Sequence, residues 1–316
     1  MNSRKMGLSP KEMSVLTSIR EAGRTRKEVA RDVGAPPPEL TRLLKSLESK
    51  GLVTVRKSGI SSTVALSDLK HATLLRRTLN EFSHMKLERI LSLASLDVLS
   101  SLAASPGSNR DALASSAGVS PRTLQTTLKK LMELGVVRKR SRGVYEISNR
   151  FDLIVDFARE LDEYSNQRMA REFSPDAQIV WQRGRDFIVR TKRDEEDADF
   201  ELTAFSLFED YGSPLFVDQH YYYHPVGGWR RTVDEVLLQS LLIRPRTARE
   251  NTAILMLWER NRLGRDIDRL RSGAKRYGLE NELSAIVAYF EDPEKNRRSG
   301  FPRISELREK LRGGSR

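Results

Sequence analysis

The sequence predicts a mainly α-helical protein with small β-wings: two tandem units of helix, turn, helix and hairpin, then a C-terminal α+β domain in which a short β-sheet precedes a helical bundle. Three observations predict this fold. Residues 109–147 change from helical to strand periodicity after Gly135, the same pattern occurs 84 residues earlier, and strand-like runs precede helical runs after residue 175. We expect five segments, bounded as 1–66, 67–96, 97–150, 151–174 and 175–316.

The second unit, at residues 97–150, shows its pattern most fully. Asn109 is suited to cap a helix, Gly118 to end it in the left-handed conformation, and Ser120-Pro121 to begin the next helix as N-cap and first residue. That second helix places four leucines on one face, namely Leu124, Leu128, Leu131 and Leu134. A basic hairpin follows, so the segment has the order of a winged helix-turn-helix domain.

The first unit, at residues 1–66, is a copy of the second. A shift of 84 residues aligns the turn glycines and core leucines of the two segments, for example Gly34 with Gly118 and Leu44 with Leu128, and a shift of 83 aligns Val15 with Val98 in the helix before them. Ser9-Pro10 begins that first helix, and Thr25 with Glu28 forms a capping box for the next. We therefore predict tandem winged helix-turn-helix domains.

Polar and basic side chains outside the leucine face are the predicted DNA contacts. On the second recognition helix they are Arg122, Thr123, Gln125, Thr126, Lys129 and Lys130, and on its hairpin Arg138, Lys139, Arg140 and Arg142. The first unit offers Thr41, Arg42 and Lys45 on the helix with Arg56 and Lys57 on the hairpin. Glu39 stands near the start of the first recognition helix, as a helix-dipole residue or as an acceptor for cytosine N4. We expect the second unit to bind DNA more strongly.

Charge and composition restrict the function classes. Residues 1–150 hold 27 lysines and arginines against 13 acids, whereas residues 151–316 hold 28 against 30, so the positive excess lies on the repeated units. This distribution favours double-stranded DNA as the partner. The chain contains no cysteine, no long apolar run and no signal-peptide pattern, which predicts a cytoplasmic, nucleoid-associated protein without membrane contact.

Two linker helices are expected around the second unit. Helical spacing from Leu69 through Phe82 to Leu93 predicts one long helix, and Phe151 to Leu161 begins another that reaches Ala170. The first serves as a connector or as a dimer seam. Because the apolar faces of both helices exceed what two small units need, and because operators are usually palindromic, we expect a homodimer.

The C-terminal region mixes strands and helices. Strand-like runs at 178–181 and 187–190 join through Gly184 into a hairpin, a short helix covers 202–208, and a tyrosine-rich third strand covers 215–224. Thr232 and Glu235 form a capping box for the first of several helices, which continue at 253–259, 267–276, 282–290 and 302–311.

No catalytic, cofactor or metal site is expected. His220 and His224 would lie about 13 Å apart on one strand face, too far for one ion. The acids from Asp194 to Asp199 have the spacing of a charged surface loop, and the chain lacks a Walker lysine, a nucleophile elbow and a dinucleotide fingerprint. We therefore predict a protein that is not an enzyme.

Residues 8–66 and 97–148 resemble winged-helix regulators of the multiple-antibiotic-resistance and arsenical-resistance type, chiefly through VSPRTLQTTLKKLMELGVV. The later segments FELTAFSLFEDYGS, HYYYHP, TVDEVLLQSLL and AKRYGLENEL resemble the C-terminal domain of archaeal helix-turn-helix proteins distantly similar to abortive-infection antitoxins and nucleotidyltransferases. The resemblances imply a sequence-specific transcriptional regulator with a non-catalytic C-terminal scaffold. The alternatives are an antitoxin-like protein that binds a partner protein through residues 175–316, and a nucleotidyltransferase-like enzyme.

Overall fold

The structure of the protein is a computed structural model that describes residues 7–58, 61–105, 109–141, 143–227 and 230–313. The chain is mainly helical and divides into two compact units. The first unit comprises residues 1–169 with 183–185, and the second comprises 170–182 with 186–316. This division places residues 151–169, which the sequence analysis treats as a linker, with the first unit.

The first unit begins with three helices and a hairpin, and after two further helices it has three helices and a hairpin again. Its elements are α1 (Pro10–Ser18), β1 (Arg24–Thr25), α2 (Arg26–Val33), α3 (Pro37–Ser49), β2 (Val53–Ser58), β3 (Ser61–Leu66), α4 (Lys70–Glu81), α5 (Leu87–Ile90), α6 (Leu93–Ala104), α7 (Arg110–Ala117), α8 (Pro121–Glu133), β4 (Val137–Ser141), β5 (Val144–Ile147) and α9 (Asp152–Phe173). The first hairpin, β2–β3, is extended by β1 into a three-stranded antiparallel sheet in the order β1-β3-β2. The second hairpin has the two strands β4 and β5.

Local capping explains where these helices begin. The hydroxyl of Ser9 accepts a hydrogen bond from the Glu12 N–H and that of Thr25 from the Glu28 N–H, each with a returning glutamate. Asn109 caps α7 and Ser120 caps α8 in the same way, without the returning acid. Pro36 precedes α3 without a side-chain cap. The predicted helix starts are confirmed.

The prediction of one long helix from Leu69 to Leu93 is wrong. Three helices, α4, α5 and α6, cover this stretch, and a turn closed by a hydrogen bond from the Met85 N–H to the Phe82 carbonyl separates the first two. Leu75, Leu79, Leu87 and Ile90 are all buried in the same core. The helical spacing of apolar residues therefore indicates that residues on both sides of the turn are buried. It does not indicate an unbroken helix.

The apolar face of α9 is buried inside the first unit. Ile154, Phe157 and Leu161 belong to its core, and the ring of Phe151 packs 5.2 Å from that of Phe82 at the end of α4. The two faces that suggested surplus surface for a homodimer therefore lie in the core of one chain, and the homodimer prediction loses this support.

The second unit combines a four-stranded antiparallel sheet with helices. Its elements are β6 (Gln178–Arg183), β7 (Asp186–Thr191), β8 (Glu201–Leu202), β9 (His220–His224), α10 (Val233–Leu242), α11 (Ala248–Arg260), α12 (Ile267–Tyr277), α13 (Glu280–Glu291) and α14 (Ile304–Gly313). The sheet order is β6-β7-β9-β8, so the predicted hairpin is confirmed. The predicted third strand is shorter, because residues 215–219 are not extended into the sheet, and the predicted short helix is a 3-10 turn at Ala204–Leu207.

The predicted capping box at α10 is only half present. The Thr232 hydroxyl accepts a hydrogen bond from the Glu235 N–H, but the Glu235 carboxylate does not return to Thr232. That carboxylate accepts hydrogen bonds from the Arg276 guanidinium at 2.6 Å and from the Tyr277 hydroxyl at 2.8 Å, both on α12. A tertiary partner has replaced the local one.

Candidate nucleic-acid interface

Helix α8 presents a polar face to solvent because its other face is buried. Leu124, Leu128 and Leu131 are each at most 2% exposed. Among the side chains that α8 exposes are the predicted contacts Arg122, Thr123, Gln125, Thr126 and Lys129. Two threonines are engaged locally, since Thr123 shares a hydrogen bond with the Ser120 hydroxyl at 2.9 Å and Thr126 donates to the Arg122 carbonyl at 3.1 Å. Arg122, Gln125 and Lys129 remain as the long side chains that extend from this face.

Lys130, also predicted to contact DNA, serves a different purpose in the fold. Its ammonium donates to the hydroxyls of Ser92 at 3.0 Å and Ser95 at 3.2 Å, at the start of α6. Burial, together with the charge of Arg89, lowers the pKa of Lys130. This lysine joins α8 to α6, and its predicted contact with DNA stays a prediction.

The first three helices of the chain have a similar connection at matching positions. Ser46 on α3 donates to the Glu12 carboxylate on α1 at 2.7 Å, and these residues align with Lys130 and Ser95 in the two sequence shifts. Donor and acceptor side chains differ between the copies, but each joins the first helix of its segment to the third.

The polar face of α3 carries fewer long side chains. Arg42 and Lys45 are exposed, whereas Thr41 is half-buried and its hydroxyl donates to the Pro37 carbonyl at 2.9 Å. Glu39 forms an ion pair with Lys11 of α1, a contact that the sequence analysis missed. The acid at the start of α3 is therefore balanced by a lysine within the fold.

The two hairpins differ in how their cations are paired. Arg138 lies opposite Glu146 in the β4–β5 register and donates to its carboxylate at 2.6 Å, while an Arg140 nitrogen lies 4.0 Å from the other carboxylate oxygen. Lys139 is exposed, and Arg142 lies outside the described residues. In the first hairpin, Arg56 and Lys57 are exposed and lie opposite neutral residues, Thr63 and Ser62. The second hairpin is therefore less basic in effect than its four cations suggest.

Replacing Glu146 by Gln is expected to strengthen DNA binding severalfold. The change removes the carboxylate that Arg138 and Arg140 share, so both guanidinium groups become available to phosphate, and the salt dependence of binding should steepen by about one unit. Fluorescence anisotropy titrations of a labelled duplex from 50 to 300 mM salt would measure both. Glu133→Gln is the matched control, because it removes the same charge from an exposed position at the end of α8. Equal effects of the two substitutions would show that only net charge matters.

Outside these helices and hairpins, two acids of the predicted charged loop, Asp194 and Asp197, have structural contacts. Asp194 accepts a hydrogen bond from the Tyr222 hydroxyl at 3.1 Å, and Asp197 accepts one from the Asp199 N–H at 2.7 Å within the predicted loop. Across the described part of the chain, no group of three or more His, Cys, Asp or Glu side chains is placed to hold a metal ion.

Comparison with known proteins finds a likeness for the first segment. Residues 3–67 match the family model described as sugar-specific transcriptional regulator TrmB. The match is consistent with a winged helix-turn-helix regulator that binds DNA through this segment. No curated protein and no solved structure matches the chain. None of the helices described is long and apolar enough to cross a membrane.

Proposed function

We propose that the protein is a sequence-specific transcriptional regulator that binds duplex DNA through two tandem winged-helix units, at residues 8–66 and 97–148. The observation that carries this proposal is the repetition of one local geometry. Gly34 and Gly118 end the helix before each recognition helix with φ of 64° and 63°, and Gly51 and Gly135 follow each recognition helix with φ of 65° and 68°. The family match supports the first of these units.

Both recognition helices expose cations at corresponding positions. Lys45 on α3 and Lys129 on α8 are exposed and align in the 84-residue shift, and each helix carries one exposed arginine, Arg42 or Arg122. A helix that buries one face and exposes arginine, lysine and amide groups on the other is suited to the DNA major groove. The hairpins add cations for phosphate or the minor groove.

We infer that the second winged-helix segment, residues 97–148, provides most of the base recognition. Arg122 and Gln125 are the second and fifth residues of α8, at the end of a recognition helix that contacts base edges. Arginine pairs with guanine O6 and N7, and glutamine with adenine N6 and N7. The corresponding residues of α3 are Pro38 and Thr41, which offer no comparable group. The first winged-helix segment, residues 8–66, then contributes mainly phosphate contacts.

Genomic mapping of bound sites followed by titration of single-base variants of one site tests this proposal. Arg122→Ala or Gln125→Ala should each cost roughly 1–3 kcal/mol of binding free energy at one base position and remove discrimination there. Arg110→Ala, on the first turn of α7, is the matched exposed control. Arg42→Ala should leave the discrimination between bases unchanged at every position. Uniform weakening across all sites by Arg122→Ala would contradict base recognition, and failure of the intact protein to bind duplex DNA would contradict the function.

The second compact unit, residues 170–182 with 186–316, is proposed to serve assembly or sensing without catalysis. A homodimer stays a prediction from the palindromic form of most operators, and light scattering of the full chain tests it by its mass. A protein partner for residues 175–316 likewise stays a prediction, for which a pull-down with the full chain is the test.

A further inference from the structure

The second unit contains a cavity of about 540 Å³ between the end of α10, helices α11 and α13 and the segment 298–301. Its size falls within the range of small-molecule sites in proteins. Every residue that lines it belongs to the second unit, so its shape does not depend on the DNA-binding segments.

The floor of the cavity is apolar. Leu241, Ile254 and Ile286 line it and are each at most 2% exposed, and the half-buried ring of Phe301 completes the surface. Such a floor stabilises a hydrocarbon or aromatic group by removing it from water. It offers nothing to a fully hydrated inorganic ion.

The rim of the cavity is cationic. Arg244, Arg246 and Arg298 line it together with one acid, Glu282, so two positive charges remain in excess. Glu282 is already engaged in an ion pair with Arg244. Arg298 is exposed and forms no ion pair with any described residue. The free charge therefore resides on Arg246 and Arg298.

Arg246 is held in place by the protein and keeps donors in reserve. Its Nη1 donates to the carbonyls of Leu241 at 2.6 Å and Ile243 at 3.2 Å, and its Nε donates to the Asn251 side-chain oxygen at 3.1 Å. Within the described residues its Nη2 has no recorded partner. Burial and the neighbouring charge of Arg244 lower the pKa of Arg246, against the opposing charge of Glu250, and an anion beside the guanidinium would favour its charged form.

The polar groups that remain free are predominantly donors. Because the Asn251 oxygen accepts from Arg246, the amide nitrogen of Asn251 is left to donate, and the Ser299 hydroxyl lines the same cavity. Guanidinium, amide and hydroxyl donors around an apolar floor match a ligand with an oxyanion at one end and an apolar body at the other.

We propose that this cavity is a binding site for a small organic oxyanion, a carboxylate or phosphate group joined to a compact apolar body. The oxyanion lies against Arg246 and Arg298, and the apolar body covers Leu241, Ile254 and Ile286. The site goes beyond DNA binding, and its existence does not depend on that proposed function.

Calorimetric titration of the full chain with four probes tests this proposal. The probes are phenyl phosphate, benzoate, benzyl alcohol and inorganic phosphate. Either organic anion should bind at least about tenfold more tightly than benzyl alcohol and inorganic phosphate, because only the anions satisfy both the rim and the floor. Failure of both organic anions to bind would overturn the proposal. Inorganic phosphate or benzyl alcohol that bound as tightly as the organic anions would also overturn it.

Three variants locate the binding. Arg298→Gln should weaken binding of the organic anion about tenfold, because it removes one charge-assisted contact. The position is exposed, so the substitution does not endanger folding. Arg297→Gln is the matched control, an adjacent exposed arginine that does not line the cavity. Ser299→Trp should abolish binding by occupying the space. Equal affinities for the Arg298 and Arg297 variants would place the anion elsewhere and overturn the site.

Discussion

Glu12→Gln is expected to lower the free energy of unfolding of the first unit by about 3–5 kcal/mol. The Glu12 carboxylate and the Lys50 ammonium lie 2.6 Å apart with side chains only 5% and 7% exposed, and Lys50 also donates to the Gly7 carbonyl at 2.9 Å. Removal of one charge leaves the other buried without its partner. Hydrogen exchange followed by mass spectrometry measures the change in α1 and α3. Exchange in the second unit, which holds the described tryptophans Trp181 and Trp258, is an internal control.

The double variant Glu12→Gln with Lys50→Met should recover most of this loss, because no charge then remains buried. Asp32→Asn disrupts the more exposed Arg24–Asp32 pair of the same unit and should change stability by less than about 1 kcal/mol. A double variant as unstable as the single one would show that packing, and not charge compensation, accounts for the effect.

The same pair predicts a dependence on acid. Burial alone would raise the pKa of Glu12, but hydrogen bonds from Lys50 and the Ser9 N–H, with the charge of Lys50, hold that pKa below its ordinary value. A carboxyl with a lowered folded pKa stabilises the fold above its unfolded pKa of about 4.3, and this contribution is lost as the pH falls through the folded pKa. The protection factors of amides in α1 and α3, which remove the intrinsic pH dependence of exchange, should therefore fall below about pH 4.3. They should fall less in Glu12→Gln.

Phe157→Ala is expected to destabilise the first unit by about 3–5 kcal/mol, as large-to-small substitutions in cores do. Phe157 is fully buried in the core that also holds the leucines of α3 and α8. The measurement is again hydrogen exchange in the first unit, together with DNA affinity at the temperature where the variant begins to unfold. Gln167→Ala, at an exposed position of the same helix, should have little effect.

A pair of fragments provides an independent test of this role for α9. Residues 1–150 contain both proposed DNA-binding units but lack Ile154, Phe157 and Leu161, whereas residues 1–174 include them. The shorter fragment should show weaker helical circular dichroism per residue and a lower melting temperature. If both fragments were equally stable, α9 would be a linker as the sequence analysis expects.

The features that the sequence predicted well depend on neighbouring residues. Helix starts at Ser9, Thr25, Asn109 and Ser120 involve hydrogen bonds across three residues, so composition and spacing suffice to locate them. The turn at Gly118 is equally local, because the left-handed conformation there favours glycine.

The features that the sequence did not predict depend on distant partners. Lys130 meets Ser92 and Ser95, and Glu39 meets Lys11, only after the helices have packed. The Arg138–Glu146 pair was closer to prediction, because hairpin register sets the two residues opposite each other. A surface charge is therefore assigned to DNA reliably only when the strands and helices that face it are known.

The buried Glu12–Lys50 pair also bears on how the chain avoids assembling incorrectly. Two segments with the same helix order in one chain create a risk during folding, because α6 resembles α1 and can compete for its place beside α3. Ser95 occupies the position in α6 that corresponds to Glu12 in α1. An exchange of the two helices would bury the Lys50 ammonium opposite a neutral hydroxyl, and that uncompensated charge disfavours the exchanged arrangement. We therefore expect the ion pair to favour α1 over α6 beside α3.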